Sequence, residues 1–360
     1  MNTSRPLPRT PRRAVRLALT ATAVGALFAV TACSSDTGSG SGSRDGDAKG
    51  LTEVSLALDW TPNTNHTGIY VAQQLGWFKD AGIDLKILPY GSTSPETLLA
   101  GHKADFGISY QEGLTAARSA GQDITSVYAV TQKTNVTIAV SADRKDITSP
   151  KDLDGKTYAG FGAAYEKPLL RSVIKNAGGT GDFTSVTLNT SAYAALYAGK
   201  ADFAMPMPTW EGLEAKLSGK PLKNFELTDY GFPEIYSTLI ASSDRYLKAN
   251  GATARKFLDA VERGYAYAVE NPAKAADLLI EANKSVLTNT ELVHQSEKLL
   301  ADSYYRAADG SLGTQSADRW KAFADFEYAS GLLSDADGKK LTGAPDTSSW
   351  FTNDYLPEKS

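Results

Sequence analysis

The sequence predicts an α/β protein built from two similar lobes, and three observations lead there. Apolar runs alternate with amphipathic stretches from residue 54 to about residue 242, the pattern of strands feeding helices. The strings "LLAGHKADFGIS" (98–109) and "LYAGKADFAMPM" (196–207) repeat one another weakly, each running from a helix end through Ala-Gly into an Ala-Asp-Phe strand start. Residues 51–360 also exceed one domain at the usual length of roughly 150 residues.

Taken in order, residues 54–58 and 85–89 read as strands that bracket a helical stretch over 68–81. The same alternation carries on through both copies of the repeat. Beyond Ser243 the periodicity is helical, in "ARKFLDAVERGYAYAVEN" and then over 272–282, 290–305 and 318–330. Because ligands of open α/β sheets bind beyond the carboxyl ends of strands, four segments are expected at one shared cleft: 59–66, 109–112, 160–166 and 207–211.

Ahead of the α/β region, Arg5, Arg9, Arg12, Arg13 and Arg16 precede an apolar, small-residue run over 17–32, which reads as a secretory signal peptide over 1–32. That run is shorter than the roughly 20 apolar residues a spanning helix needs. Val30-Thr31-Ala32-Cys33 resembles the lipobox of bacterial lipoproteins, which implies acylation of Cys33. Each buried methylene of such a chain contributes about 0.8 kcal/mol, so the expected address is the extracytoplasmic face of the cell membrane, with lipid as the only membrane attachment. Residues 33–50, rich in Gly and Ser, form a flexible tether.

Removal of the five signal arginines takes the formal charge from -4 to -9, which argues against nucleic acid or anionic lipid as a partner. Cys33 is the only cysteine, so no disulfide and no Cys-x-x-Cys metal site can form within the chain. The three histidines, His66, His102 and His294, are widely spaced, and no metal site is expected. "GFG" at 160–162 lacks the third glycine of a dinucleotide motif, and no H-E-x-x-H, P-loop or G-x-S-x-G pattern occurs. Neither a cofactor nor a catalytic residue is expected.

The four segments share an unusual content. Trp60, Tyr110, Tyr165 and Trp210 offer aromatic faces, and Asn63, Glu112, Glu166 and Glu211 offer hydrogen-bonding groups. Rings presented from two lobes can clamp a flat heterocycle, while a carboxylate or amide satisfies its polar edge. Each ring by itself could equally be core. Together, at strand ends, the eight are the expected ligand-binding residues. His66 fits capping of the helix that follows as well as it fits ligand contact.

The stretches "LDWTPNTNHTGIYVAQQLGWFKDAGIDLKI", "LLAGHKADFGIS", "GFGAAYEKPLLRSVI" and "DFAMPMPTWEGLEAKLSG" resemble the solute-binding proteins of ABC transporters related to binders of the thiamine pyrimidine precursor. The resemblance spans nearly all of residues 51–330. It implies the type II periplasmic-binding-protein fold, two α/β lobes joined by hinge strands with a ligand cleft between them, here 51–140 with 239–345 as a discontinuous first lobe, 141–238 as the second, and 346–360 as a C-terminal tail. It also implies a monomer that delivers its solute to an ABC permease and its ATPase. The implied ligand is an aminopyrimidine from thiamine breakdown such as formylaminopyrimidine, with Trp60 and Trp210 as ring-stacking positions and Asn63 and Glu166 at the polar edge.

Met205-Pro206-Met207-Pro208 and "GAAYE" depart from the more aromatic and Trp- and Pro-rich versions expected at the cleft, and riboflavin and sulfonate binders share the fold. A related branch synthesises the thiamine pyrimidine from its own histidine beside a cysteine-rich segment. This chain has no such segment, which favours a binder over an enzyme.

Overall fold

The backbone of a computed structural model describes residues 50–163 and 165–358. The expected signal peptide, Cys33 and the tether up to residue 49 lie outside the described residues. The described residues form one compact unit, which contains two five-stranded sheets.

The first sheet contains β1 (Thr52–Ala57), β2 (Ile83–Leu88), β3 (Phe106–Ser109), β4 (Ile124–Ala129) and β10 (Leu239–Ser243), in the order β2-β1-β3-β10-β4. The second contains β5 (Thr137–Ser141), β6 (Thr157–Gly160), β7 (Thr184–Thr187), β8 (Phe203–Ala204) and β9 (Leu222–Glu226), in the order β7-β6-β8-β5-β9. Each sheet has a parallel trio followed by an antiparallel strand, β10 in the first and β5 in the second. Those antiparallel strands are the exchanged ones: each enters its sheet directly after the chain has crossed from the other lobe. This is the expected type II arrangement.

The weak repeat has a structural cause. Its two Ala-Asp-Phe strings open β3 and β8, which occupy equivalent places in the two sheets. Asp105 accepts from the backbone N–H of Ser55 in β1 at 2.8 Å, and Asp202 accepts from the N–H of Thr157 in β6 at 2.8 Å. An aspartate thus pins the start of each central strand to its neighbour.

The helices follow their apolar stripes. Helical residues run over Thr67–Gln74 and Trp77–Asp80, interrupted at Gly76, whose φ of 80° only glycine adopts freely. Asp244–Glu270, Pro272–Ala282, Thr290–Ser303 and Ala317–Ala329 match the C-terminal helical periodicity. The helix Thr67–Gln74 crosses Asp244–Glu270 at Gly68 and Gly264, where a Cβ on Gly264 would stand 1.9 Å from the Gly68 carbonyl oxygen. Only two glycines allow this backbone contact, and it fixes the helix that follows the first cleft loop.

Two chain crossings join the lobes side by side. The N–H groups of Val130 and Thr131 donate to the Thr238 carbonyl, the Thr238 N–H donates to the Thr131 hydroxyl, and the Asn135 N–H donates to Ser237 Oγ. The helix Ala317–Ala329 braces them, with Phe323 in the second lobe's core and Trp320 and Ala324 in a core of the first. Residues near the C terminus also join the fold. Trp350 is buried, and Phe351 bridges to Ser126 in β4 while stacking on Trp320.

Candidate functional site

The cleft between the sheets is formed by the loops that leave β1, β3, β6 and β8, and each loop is held from behind. After β1, Asn63 Oδ1 accepts from the Asn65 N–H at 2.8 Å, and the Asn63 N–H donates to His66 Nδ1 at 3.3 Å. Since Nδ1 accepts, Nε2 is the protonated nitrogen, and it donates to Asp59 Oδ1 at 3.0 Å. His66 has no exposed surface, so its role is capping and packing: it orients Asp59 at the cleft wall.

Deeper support comes from Tyr265, Glu297 and Tyr305 in the C-terminal part of the chain. Tyr305 OH donates to the Thr64 carbonyl, Tyr265 OH donates to the Asn65 carbonyl, and the Thr67 hydroxyl donates to Glu297. Trp60 projects from this rigid loop, half-buried, with ring centroids 5.5 Å from Tyr90 and 5.2 Å from Phe161.

After β3 the chain passes Tyr110 into the helix Gln111–Ser119. Gln111 is tied to the second crossing: its side-chain oxygen accepts from the Tyr236 N–H at 2.9 Å. Glu112, in the first helical turn, is buried at the cleft wall with Oε2 unpartnered, and burial pushes its carboxyl up to about 7.

After β6, Gly162 has a φ of 108° and lies against Thr187, which turns the N–H groups of Phe161 and Gly162 onto the two oxygens of Glu166, each at 3.0 Å. Burial raises the Glu166 carboxyl, and these two donors oppose the rise. Tyr165 comes within 5.8 Å of Tyr110, ring to ring, from the opposite lobe.

After β8, Pro206 and Pro208 remove two backbone donors, and a π-helical turn over Pro208–Gly212 presents Trp210 and Glu211. Wide turns of this kind recur at functional sites. Glu211 Oε2 accepts from the Met207 N–H at 3.0 Å, and burial pushes this carboxyl up to about 7. Trp210 seats its ring on a first-lobe cluster that includes Tyr70, Leu287 and Val293, so it crosses between lobes.

The structure brings all eight sequence-selected residues, Trp60, Asn63, Tyr110, Glu112, Tyr165, Glu166, Trp210 and Glu211, to this one cleft. The side chains of Asn63 and Glu166 are engaged within their own loops, whereas Glu112 keeps a free oxygen. Sequence reasoning missed Phe161, Tyr193, Asn65 and Ser237 as wall residues. Phe161 and Asn65 lay inside selected segments, but Tyr193 comes from the helix Ala192–Tyr197 and Ser237 from a crossing, and neither carried a signal.

Among the described residues four carboxylates line the cleft, and no lysine or arginine does. Four loop N–H groups at the cleft are occupied as well: those of Phe161, Gly162 and Met207 by carboxylates, and that of Asn65 by Asn63. Among the described residues no group of three or more His, Cys, Asp or Glu side chains is placed to hold a metal, and no helix is long and apolar enough to cross a membrane.

The family model described as NMT1/THI5 like matches residues 63–275. A formylaminopyrimidine-binding protein of Halalkalibacterium halodurans is 30% identical over 305 residues, covering 82% of this chain and 88% of its own. The 4-amino-5-hydroxymethyl-2-methylpyrimidine phosphate synthase THI12 of Saccharomyces cerevisiae is 24% identical over 317 residues, with 84% and 88% covered. Among solved structures, the alkanesulfonate-binding protein SsuA of Xanthomonas axonopodis pv. citri, bound to MOPS, superposes with a TM-score of 0.60 at 20% identity, over 80% of this chain and 96% of that one. A Candida albicans protein with the generic periplasmic binding protein fold gives 0.61 at 16% identity, over 86% and 99%. On the family match and the extent of the 30% identity, this chain belongs to the NMT1/THI5-like family, on the two-lobe periplasmic-binding-protein fold.

Proposed function

We propose that this chain is the solute-binding lipoprotein of an ABC importer, held through Cys33 on the extracytoplasmic face, and that it captures a thiamine-related aminopyrimidine for delivery to a permease. One observation carries the ligand class: the cleft combines aromatic faces from both lobes with buried carboxylates, and among the described residues no lysine or arginine lies in its wall. A flat ring with amino and amide N–H donors suits those faces and acceptors. A sulfonate or phosphate ester would meet repulsion, with the loop N–H groups already taken by Glu166 and Glu211.

The same observation weighs against synthase chemistry, whose named product in the yeast relative carries a phosphate. Glu112 and Glu211 are the groups proposed to accept from the ligand's donors, with Trp60, Tyr110, Tyr165 and Trp210 enclosing the ring. Asn63 and Glu166 hold the loops that present them.

Calorimetric titration of the purified chain with four probes tests this: formylaminopyrimidine, 4-amino-5-hydroxymethyl-2-methylpyrimidine, the phosphate ester of the latter, and an alkanesulfonate. The expected order places both unphosphorylated pyrimidines at least about 100-fold tighter than either anion, a difference of about 2.7 kcal/mol. Equal or tighter binding of the sulfonate or the phosphate ester would overturn the ligand class, and turnover of any pyrimidine probe would overturn the binder reading.

A further inference from the structure

The π-helical turn over Pro208–Gly212 has to be placed against both lobes at once, because Trp210 seats its ring on the first-lobe cluster while Glu211 lines the cleft. Its shape is set from within: the N–H groups of Trp210 and Gly212 donate to the Met207 carbonyl at 3.1 and 3.0 Å. Two bonds tie it to its own lobe, from the Thr137 N–H to the Pro206 carbonyl at 3.1 Å and from Tyr197 OH to the Glu211 carbonyl at 2.8 Å. A further bond reaches the turn from the first of the two crossings, where Asn135 Nδ2 donates to Thr209 Oγ1 at 2.8 Å.

This bond is sealed from water. Asn135 has no exposed surface and Thr209 only 1%. The Asn135 N–H donates to Ser237 Oγ at 2.6 Å on the second crossing, and Ser237 itself lines the cleft. One residue therefore joins the two crossings through its backbone and the turn through its side chain. Core packing alone would not select an amide here. Asn135 Oδ1 is buried with no partner among the described residues, which costs free energy that an apolar side chain would avoid. The next residue, Val136, packs on the second lobe's core, so the surroundings suit an apolar group. What the amide supplies and an apolar group cannot is the bond to Thr209.

We propose that Asn135 is a positioning residue for the ligand site: through Thr209 it registers Trp210 and Glu211 against the crossings between the lobes. The inference rests on the proposed aminopyrimidine reading for the ligand and for the roles of Trp210 and Glu211, whereas the bond itself is independent of that reading. Asn135 is not a wall residue of the cleft and acts only through the turn. Without it every wall side chain is still present, but the turn is free to take other positions. Affinity then falls in proportion to the fraction of molecules whose turn remains in place.

The test uses the whole chain with Asn135→Leu, Thr209→Val, the two combined, and Thr209→Ser. Thr209→Val keeps the side chain's shape and removes only the acceptor, so it decides the matter even where Asn135→Leu fails to fold. Formylaminopyrimidine binding is read by calorimetry. The tryptophans are replaced by fluorotryptophan, and the Trp210 resonance is assigned by its loss in Trp210→Phe. The expected result is binding about tenfold weaker in Asn135→Leu and in Thr209→Val, with no further loss in the double variant, since both remove one bond. Thr209→Ser, which keeps the hydroxyl, should restore it. Without the probe, the Trp210 fluorine resonance should move or broaden in the first three variants and return in Thr209→Ser, while those of the buried first-lobe Trp320 and Trp350 stay in place. A Thr209→Val that binds like wild type, or whose Trp210 resonance does not change, would overturn the proposal, as would losses that add in the double variant. If the probe does not bind wild type, the ligand reading fails, and the fluorine spectra alone decide the role of Asn135.

Discussion

Replacing Glu297 by glutamine should stabilise the protein increasingly as pH rises from the carboxyl's ordinary value of 4.5 to about 8, while changing little below that window. Glu297 sits in the helix Thr290–Ser303 with no exposed surface, its Oε2 accepting from the Thr67 hydroxyl at 2.5 Å and standing 3.2 Å from the Tyr305 hydroxyl oxygen, and its Oε1 unpartnered. Burial pushes its carboxyl up to about 8 from an ordinary 4.5, against the opposing effect of those two hydroxyls. A glutamate in the unfolded chain loses its proton near its ordinary value, whereas the native protein holds this one until about pH 8. Between those limits the native state binds more protons, so stability falls as pH rises across the window and is constant beyond it.

At about 1.4 kcal/mol per unit, the loss approaches about 5 kcal/mol, and roughly 3 kcal/mol after relaxation around the charge. Glutamine copies the neutral acid in shape and acceptor and has no proton to lose. Melting curves of wild type and Glu297→Gln at pH 5 to 9 should converge at the acid end. At pH 8.5 they should separate by roughly 5–10 °C in favour of the variant, taking about 2–4 °C per kcal/mol. Parallel curves, or a variant that melts lower at pH 8.5, would refute the argument and place a compensating cation or water chain beside Glu297.

Trp60→Ala should weaken pyrimidine binding at least about tenfold and leave the melting temperature of the free protein nearly unchanged, because its ring partners Tyr90 and Phe161 also lie in loops; calorimetry and melting together check this. Trp210→Ala should lose both binding and melting temperature, since its ring also covers the Tyr70 and Leu287 cluster, and an unchanged melting temperature would count against that seat. Gly264→Ala should lower stability by about 3 kcal/mol or more, or abolish soluble expression, because its Cβ would collide with the Gly68 carbonyl at 1.9 Å and force two helices apart. Cys33→Ala should appear in the medium or remain unprocessed, as read by membrane fractionation; a processed variant that stays on the membrane would exclude lipid as the anchor.

The parts of the site that could be read in the sequence were those where residue type and strand end coincide. Trp60, Tyr110, Tyr165 and Trp210 each follow an apolar run at its carboxyl end, and in an α/β alternation such positions point at the cleft. The repeat was legible because its aspartates carry a strand-pinning hydrogen bond that both lobes need. Glu297 and Glu327 were not legible. An acid in an amphipathic helix reads as solvent-facing, and only the fold shows that these two stand on the buried stripes Leu292–Val293–Ser296–Glu297–Leu300 and Trp320–Phe323–Ala324–Glu327. The side chain of Glu166 was chosen for its chemistry, but the φ of Gly162, which turns two N–H groups onto it, has no signature in residue type alone. His66 was ambiguous for a similar reason, since capping and ligand contact ask for the same side chain.

The cleft's charge is a consequence of where its carboxylates sit along the chain. In a fold whose strands feed helices, the helix amino termini converge on the cleft and carry partial positive charge with unpaired N–H groups, an arrangement that favours anions. Here Glu112 lies in the first turn of Gln111–Ser119, Glu166 opens Glu166–Asn176, and Glu211 lies in the turn that precedes Leu213–Leu217. Each acid takes the place an anionic ligand would otherwise occupy, and two of them take its N–H donors as well. The sulfonate-binding neighbour shares the backbone at a TM-score of 0.60 but only 20% of the sequence, so the common architecture does not decide the sign of the ligand. A few first-turn side chains do: with the dipoles already neutralised from within, what remains for a ligand is a set of aromatic faces and carboxylate lone pairs. On the proposed reading, those faces and lone pairs select a flat molecule that donates hydrogen bonds.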